Sequence, residues 1–94
     1  MNNRIELNLD KSVTRLAGYD YGKSIYDEQV KGKVDFNSTI IIVFPDNILK
    51  LASSFVQGFF GEMVDKIGIA GIESNVIIES YNTNLHKEII KNLL

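Results

Sequence analysis

Residues 39–68 read TIIIVFPDNILKLASSFVQGFFGEMVDKIG, and this stretch decides the fold that the sequence predicts. Its opening run, TIIIVF, is apolar and mainly β-branched, a pattern typical of a central strand buried on both faces of a parallel sheet. The letters PDN at 45–47 signal a turn. Apolar residues then recur at helical spacing over 55–67, and Gly68 is placed to end that helix. The stretch therefore predicts a buried strand, a loop and a helix.

The sequence before this stretch predicts a strand and a helix. RIELNL at 4–9 alternates polar and apolar residues, as a strand with one face in water does. Ser12 or Thr14 is expected to cap a helix that runs to about Val30. We therefore expect a strand near the edge of the sheet, followed by a long first helix.

The sequence after it predicts a loop at 68–74, a third strand at 75–80 and a last helix within NTNLHKEIIKNLL at 82–94. The expected order is β-α-β-α-β-α, which right-handed crossovers fold into a small, mainly parallel sheet covered by helices. A fourth strand could come from KVDF at 33–36 or from a partner chain, and the sequence leaves both open. We expect one α/β domain over residues 1–94.

Composition excludes several classes of protein. The chain has no cysteine, so disulfides, thiol catalysis and thiolate metal sites are excluded. Ten Lys and Arg are interspersed with twelve Asp and Glu, so no nucleic-acid partner is expected. No apolar run has the length of a signal peptide core or of a membrane span. The expected location is the cytoplasm, with no membrane partner.

The serine doublet at 53–54 invites an enzymatic interpretation, which the rest of the sequence does not favour. A nucleophilic serine needs a base, and the one histidine, His86, is expected at the surface near the start of the last helix. No G-x-S-x-G elbow, metal-ligand cluster or phosphate loop is present. Gly58 and Gly61 are instead expected where the helix crosses the sheet closely. We predict no catalytic residue, no metal and no cofactor.

Two roles remain open for the serines. Ser54 with Gln57 matches a capping box, in which the hydroxyl accepts a hydrogen bond from a backbone N–H at the helix start. One cap needs one residue, so Ser53 is not explained in this way. A helix N-terminus also stabilises negative charge, which makes Ser53 or Ser54 a candidate phosphate acceptor.

Most of the chain resembles a known family, the bacterial STAS-like domain of unknown function, which is related to the STAS domains of anti-sigma-factor antagonists. The likeness rests on the β-branched strand, the short loop and the helix that follows, on the first helix, and on VIIESYNTN as third strand and turn. The matching residues are Arg15, Gly18, Ser54, Phe55, Gly61, Glu62 and Gly68.

The resemblance implies a non-enzymatic regulatory module that acts through a protein partner. In the antagonists, a histidine-kinase-like ATPase phosphorylates a loop serine and so switches binding, and Ser53 falls on that position. Ala52 and Phe55 replace the Asp and Gly of the antagonists' loop, and Phe44 replaces the acidic residue that many family members carry at the end of the central strand. The surface implied for partner binding comprises Asp46, Asn47, Lys50, Ser53, Ser54 and Gln57.

Two further functions stay open at this stage. Some STAS domains are described as nucleotide binders, so the domain could sense a nucleotide or another small ligand. It could also form a homodimer or larger assembly, through an edge strand or through the Leu93–Leu94 end.

Overall fold

The computed structural model describes residues 3–94, which form a small α/β domain with three helices. Strands β1, β3 and β5 form a parallel sheet in the order β1-β3-β5, and β2 pairs with β4 in a separate parallel ladder. The predicted α/β fold with a small parallel sheet is confirmed. In chain order the elements are β1 Arg4–Glu6, β2 Arg15–Leu16, α1 Tyr19–Gln29, β3 Ile40–Val43, β4 Lys50–Leu51, α2 Ser53–Asn75, β5 Val76–Glu79 and α3 Leu85–Leu93.

Strand β3 is central, as predicted, but it is not buried on both faces. Ile40 and Ile42 are fully buried, whereas Ile41 and Val43 on the opposite face are half-buried. On that second face Arg4 of β1 reaches Glu79 of β5, with 2.7 Å between Nη1 and Oε2. The helical core therefore covers one face of the sheet, while charged side chains from both edge strands lie on the other.

The first helix begins later than predicted. Residues 15–16 extend as β2 and pair with β4, and Gly18 takes the N-cap position with φ 105°, so α1 starts at Tyr19. Ser12 does not cap a helix, because its backbone N–H and its hydroxyl both bond to Asp10. Thr14 does not cap a helix either; its backbone carbonyl accepts a hydrogen bond from the Leu49 N–H, with 2.8 Å between N and O. Pairing with the loop after β3 thus replaces the first turn of the expected helix.

Helices α1 and α2 cross closely through two glycines. A Cβ on Gly22 would meet the backbone of Phe55 and Phe59, and a Cβ on Gly58 would collide with the Tyr19 carbonyl. The sequence analysis predicts that Gly58 lies where α2 approaches the sheet, and this is wrong: Gly58 lies where α2 approaches α1. Gly61 marks no approach at all, since a Cβ there would meet nothing within 4 Å.

The predicted apolar stripe of α2 builds the centre of the core. The Phe59 ring is fully buried and contacts the rings of Tyr26, Phe44, Phe55 and Phe60, with centroids between 4.7 and 6.2 Å apart. Aromatic pairs at these distances add to the free energy gained by burying their area. This cluster packs α2 against α1 through Tyr26 and against the end of β3 through Phe44.

One local prediction, the loop at 68–74, is wrong, and one alternative left open, a fourth strand from KVDF, is not realised. Gly68 interrupts α2 as expected (φ 72°, ψ 169°), but residues 69–75 form a second helical part and not a loop. Ile72 is fully buried there, and its packing outweighs the weak helix propensity of the neighbouring glycine. KVDF at 33–36 forms no strand; Val34 is buried in the core, and the Asp35 backbone N–H donates to Asn3.

Candidate docking site at the start of helix α2

The start of α2 is positioned by the β2–β4 ladder. Ala52, in an extended conformation, is the N-cap, and its N–H donates to the Leu16 carbonyl at 2.8 Å. Ser53 is the first helical residue, and it is exposed. The first backbone N–H groups of a helix have no partner within the helix and favour an anion nearby. The Ser53 hydroxyl therefore lies at a positively polarised point of the surface.

Ser54 has a structural role that differs from the predicted one. No side chain caps α2, so the capping box of Ser54 with Gln57 does not form. Instead the Ser54 hydroxyl oxygen accepts the backbone N–H of Gly18 at 3.0 Å. Since Gly18 is the N-cap of α1, this bond ties the starts of the two helices together. Both serines are exposed, but they differ in bonding: the Ser54 hydroxyl accepts the Gly18 N–H, whereas the Ser53 hydroxyl forms no hydrogen bond within residues 3–94.

Three cations and Ser53 line a cleft of about 370 Å³, here called the Ser53 cleft. Arg15 and Lys50 are register partners in the β2–β4 ladder, and Lys91 projects from α3. Within residues 3–94, none of the three forms an ion pair, and Glu88 is the one carboxylate that lines the cleft. The cleft is therefore positively charged.

The other predicted docking residues lie elsewhere. Asn47 is half-buried and donates to the carbonyls of Val13, at 2.6 Å, and Asp10, at 3.1 Å, so it fastens the loop to the N-terminal segment. Asp46 is exposed on that loop. Gln57 is exposed but lines a different groove. Of the predicted set, the structure brings Lys50 and Ser53 to one cleft.

Sequence reasoning missed Arg15 and Lys91 as members of this site. Arg15 appeared only as a residue of the family pattern, and its predicted place inside a helix hid its pairing with Lys50. Lys91 belongs to the last helix, and nothing in the local sequence indicates that it faces Ser53. Both residues depend on contacts between distant parts of the chain.

A second depression, of about 490 Å³, runs between the two crossing helices and is called the α1–α2 groove. Tyr26 lies in its wall, with a buried hydroxyl that has no hydrogen-bond partner among residues 3–94. Burial, and secondarily the nearby Glu62 carboxylate, raise the pKa of Tyr26 above its usual range. The hydroxyl therefore stays protonated at neutral pH. The groove is lined by Tyr19, Lys23, Tyr26, Asp27, Lys31, Gln57, Gly58, Gly61, Glu62, Val64, Asp65 and Leu93.

His86 lies near the start of α3, as predicted, but it is half-buried. Its Nε2 atom is buried and has no hydrogen-bond partner among the described residues. His86 lines a third depression with Ile90 and Leu94, whereas Ser53 lines another. The structure thus does not bring the histidine and the exposed serine to one cleft.

Comparison with known proteins adds no relative, since no family model, curated protein or solved structure matches the chain. In residues 3–94, no three His, Asp or Glu side chains are grouped so as to hold a metal ion. None of the helices described above has both the length and the apolar character needed to cross a bilayer.

Proposed function

We propose that this domain is a regulatory protein-interaction module that docks its partner at the Ser53 cleft, with Ser53 as the phosphate acceptor. The observation that carries the proposal is the exposed hydroxyl of Ser53 at a helix start, beside three cations that form no ion pair within residues 3–94. Arg and Lys placed in this way favour an acidic or phosphorylated group.

Phosphorylation of Ser53, which lines the cleft, would reduce the positive charge of the cleft. Arg15, Lys50 and Lys91 oppose a single carboxylate, that of Glu88, in the unmodified cleft. A phosphate on Ser53 adds roughly −1.5 to −2 charge at neutral pH, enough to neutralise the excess. The unmodified domain would therefore hold an acidic surface of its partner, and the phosphorylated domain would release it.

The nature of the partner follows from the resemblance to STAS-like domains. A histidine-kinase-like ATPase in the cytoplasm is the expected partner, acting also as the kinase for Ser53. Ser54 is the less suitable acceptor of the two, because its oxygen already accepts the Gly18 N–H. A phosphate there would disturb the contact between the two helix starts. The proposal is thus specific for Ser53.

The experiment is affinity capture of the tagged domain from its own cells, followed by mass spectrometry of the bound proteins and of the peptide that contains Ser53. The wild type, Ser53→Ala and Ser53→Asp are compared. We expect an ATPase bound to the wild type and to Ser53→Ala, a loss of at least about tenfold with Ser53→Asp, and phosphate on Ser53 alone. Equal capture by all three variants would refute a switch at this position.

A second candidate function is nucleotide sensing, and the same three cations favour it because they could hold the phosphates of a free nucleotide. Thermal unfolding with and without ATP separates the two functions. A sensor would show a midpoint that rises with nucleotide concentration by mass action, whereas the docking module would not. Ser53→Asp should abolish the rise if the phosphates occupy the Ser53 cleft.

A further inference from the structure

Gly61 lies in the α1–α2 groove without any packing reason for being glycine. Glycine is among the least favourable residues inside a helix. Gly58 on the same helix must be glycine because a Cβ would collide with Tyr19, but a Cβ on Gly61 would meet no atom within 4 Å. The open space beside Gly61 belongs to the groove. Something outside the described chain that rests on the helix at this point would explain the missing side chain.

Tyr26 contributes a second unexplained feature to the same groove. Tyr26 is 2 % exposed, and within the described part of the chain its hydroxyl has no hydrogen-bond partner. Buried tyrosine hydroxyls are usually paired, because an unpaired polar group loses its bonds to water on folding. The Glu62 carboxylate is close enough to raise the pKa of Tyr26 and is the acceptor within reach of its proton, although the two form no well-aligned hydrogen bond. The oxygen of Tyr26 therefore lacks a donor in the wall of the groove that contains Gly61.

The charges of the groove indicate the kind of partner. Three carboxylates and two ammonium groups line it. Lys23 is paired with Asp27, with 3.1 Å between Nζ and Oδ2. Of the remaining charges, Glu62 and Asp65 oppose Lys31, and neither carboxylate forms an ion pair within residues 3–94. The groove therefore favours a cation, and its volume of about 490 Å³ is that of a small-molecule site.

We propose that the α1–α2 groove binds a small organic cation that carries an ammonium or guanidinium group. The cationic N–H groups donate to the Glu62 carboxylate and to the Tyr26 hydroxyl oxygen. The Tyr26 O–H donates to Glu62, since a cation has no acceptor for it, and the body of the ligand lies against Gly61. Since the hydroxyl is buried, binding includes a local rearrangement of the side chains above it. This site does not include Ser53, and it is independent of the docking function.

The test is a titration of the ¹⁵N-labelled protein with agmatine, which carries both an ammonium and a guanidinium group, at constant ionic strength. We expect saturable shifts of the backbone amides of Gly61 and Glu62. The Gly61→Ala variant should remain folded, since its Cβ meets no atom, yet weaken binding at least about tenfold by filling the space. Tyr26→Phe, which keeps the ring, should weaken binding to a similar extent. Ser53→Asp should bind as the wild type does.

Two results would overturn the proposal. One is the absence of saturable shifts in the wild type up to roughly 10 mM agmatine. The other is equal affinity in the wild type, Gly61→Ala and Tyr26→Phe, which would indicate a general attraction of cations to the surface. A short arginine-containing peptide is titrated in parallel. If the peptide binds and agmatine does not, the groove receives a side chain of a partner protein, and the small-molecule assignment is wrong.

Discussion

Ser53 and Gly58 lie on the same helix, yet they belong to two regions with opposite properties. At the α1–α2 crossing the backbones approach so closely that Gly58 has no room for a methyl group. At the Ser53 cleft, by contrast, long and exposed side chains surround an open depression. We expect the α1–α2 crossing to determine the stability of the fold and the Ser53 cleft to determine the binding of a partner. Mutations can therefore separate the two, and the predictions below test that separation.

The largest effect is expected from Gly58→Ala. The added Cβ collides with the Tyr19 carbonyl, so the two helices must move apart, and we expect the free energy of unfolding to fall by about 3 kcal/mol. Urea denaturation measures this change. Gly61→Ala is the matched control on the same helix, where the better helix propensity of alanine should raise stability by roughly 0.5–1 kcal/mol. Similar destabilisation by both variants would contradict the close crossing.

The second prediction concerns Tyr26 at high pH. Its pKa is raised in the folded state, so above about pH 10 the unfolded chain loses a proton that the folded chain keeps. Stability from this group is complete below pH 10 and should fall by about 1 kcal/mol for each pH unit above it. Urea midpoints between pH 9 and pH 11 measure this slope, which Tyr26→Phe should reduce. Identical slopes for the two proteins would contradict the burial of the hydroxyl.

Ser54→Ala should have a smaller effect. It removes the oxygen that accepts the Gly18 N–H, and we expect a loss of about 1 kcal/mol in the free energy of unfolding. Ser53→Ala is the neighbouring control and should change stability by less than about 0.5 kcal/mol, since the equally exposed Ser53 hydroxyl forms no hydrogen bond within residues 3–94. If Ser53→Ala proves the more destabilising, the two serines have been assigned to the wrong roles.

The smallest effect on stability, with the largest on binding, is expected from the cations of the cleft. Lys50→Ala and Lys91→Ala should each leave the unfolding midpoint nearly unchanged, because neither lysine forms an ion pair within residues 3–94. Each should nevertheless weaken capture of the partner, and more so at low salt, where exposed charges are least screened. Lys66→Ala, at an exposed lysine outside the cleft, is the control. Unchanged capture by both cleft variants would place the docking surface elsewhere.

The contrast between the two regions also explains what the sequence could predict. The central strand and the apolar stripe of α2 follow from the spacing of neighbouring residues, and both were predicted. The start of α1 was predicted wrongly, because Ser12 and Thr14 look like caps until residues 15–16 pair with 50–51. Likewise, Ser54 bonds to Gly18, which is 36 residues away. Local patterns thus predict elements, whereas contacts between distant segments decide the site.

The measurement that tests the account most directly is a ³¹P titration of the protein with phosphoserine incorporated at position 53. If Arg15, Lys50 and Lys91 hold the phosphate, its second pKa should lie about one unit below the ordinary value of about 6. Replacing the three cations with alanine should return it to that value. A phosphate pKa that is unshifted, or that stays lowered without the cations, would contradict a Ser53 switch built on this cleft.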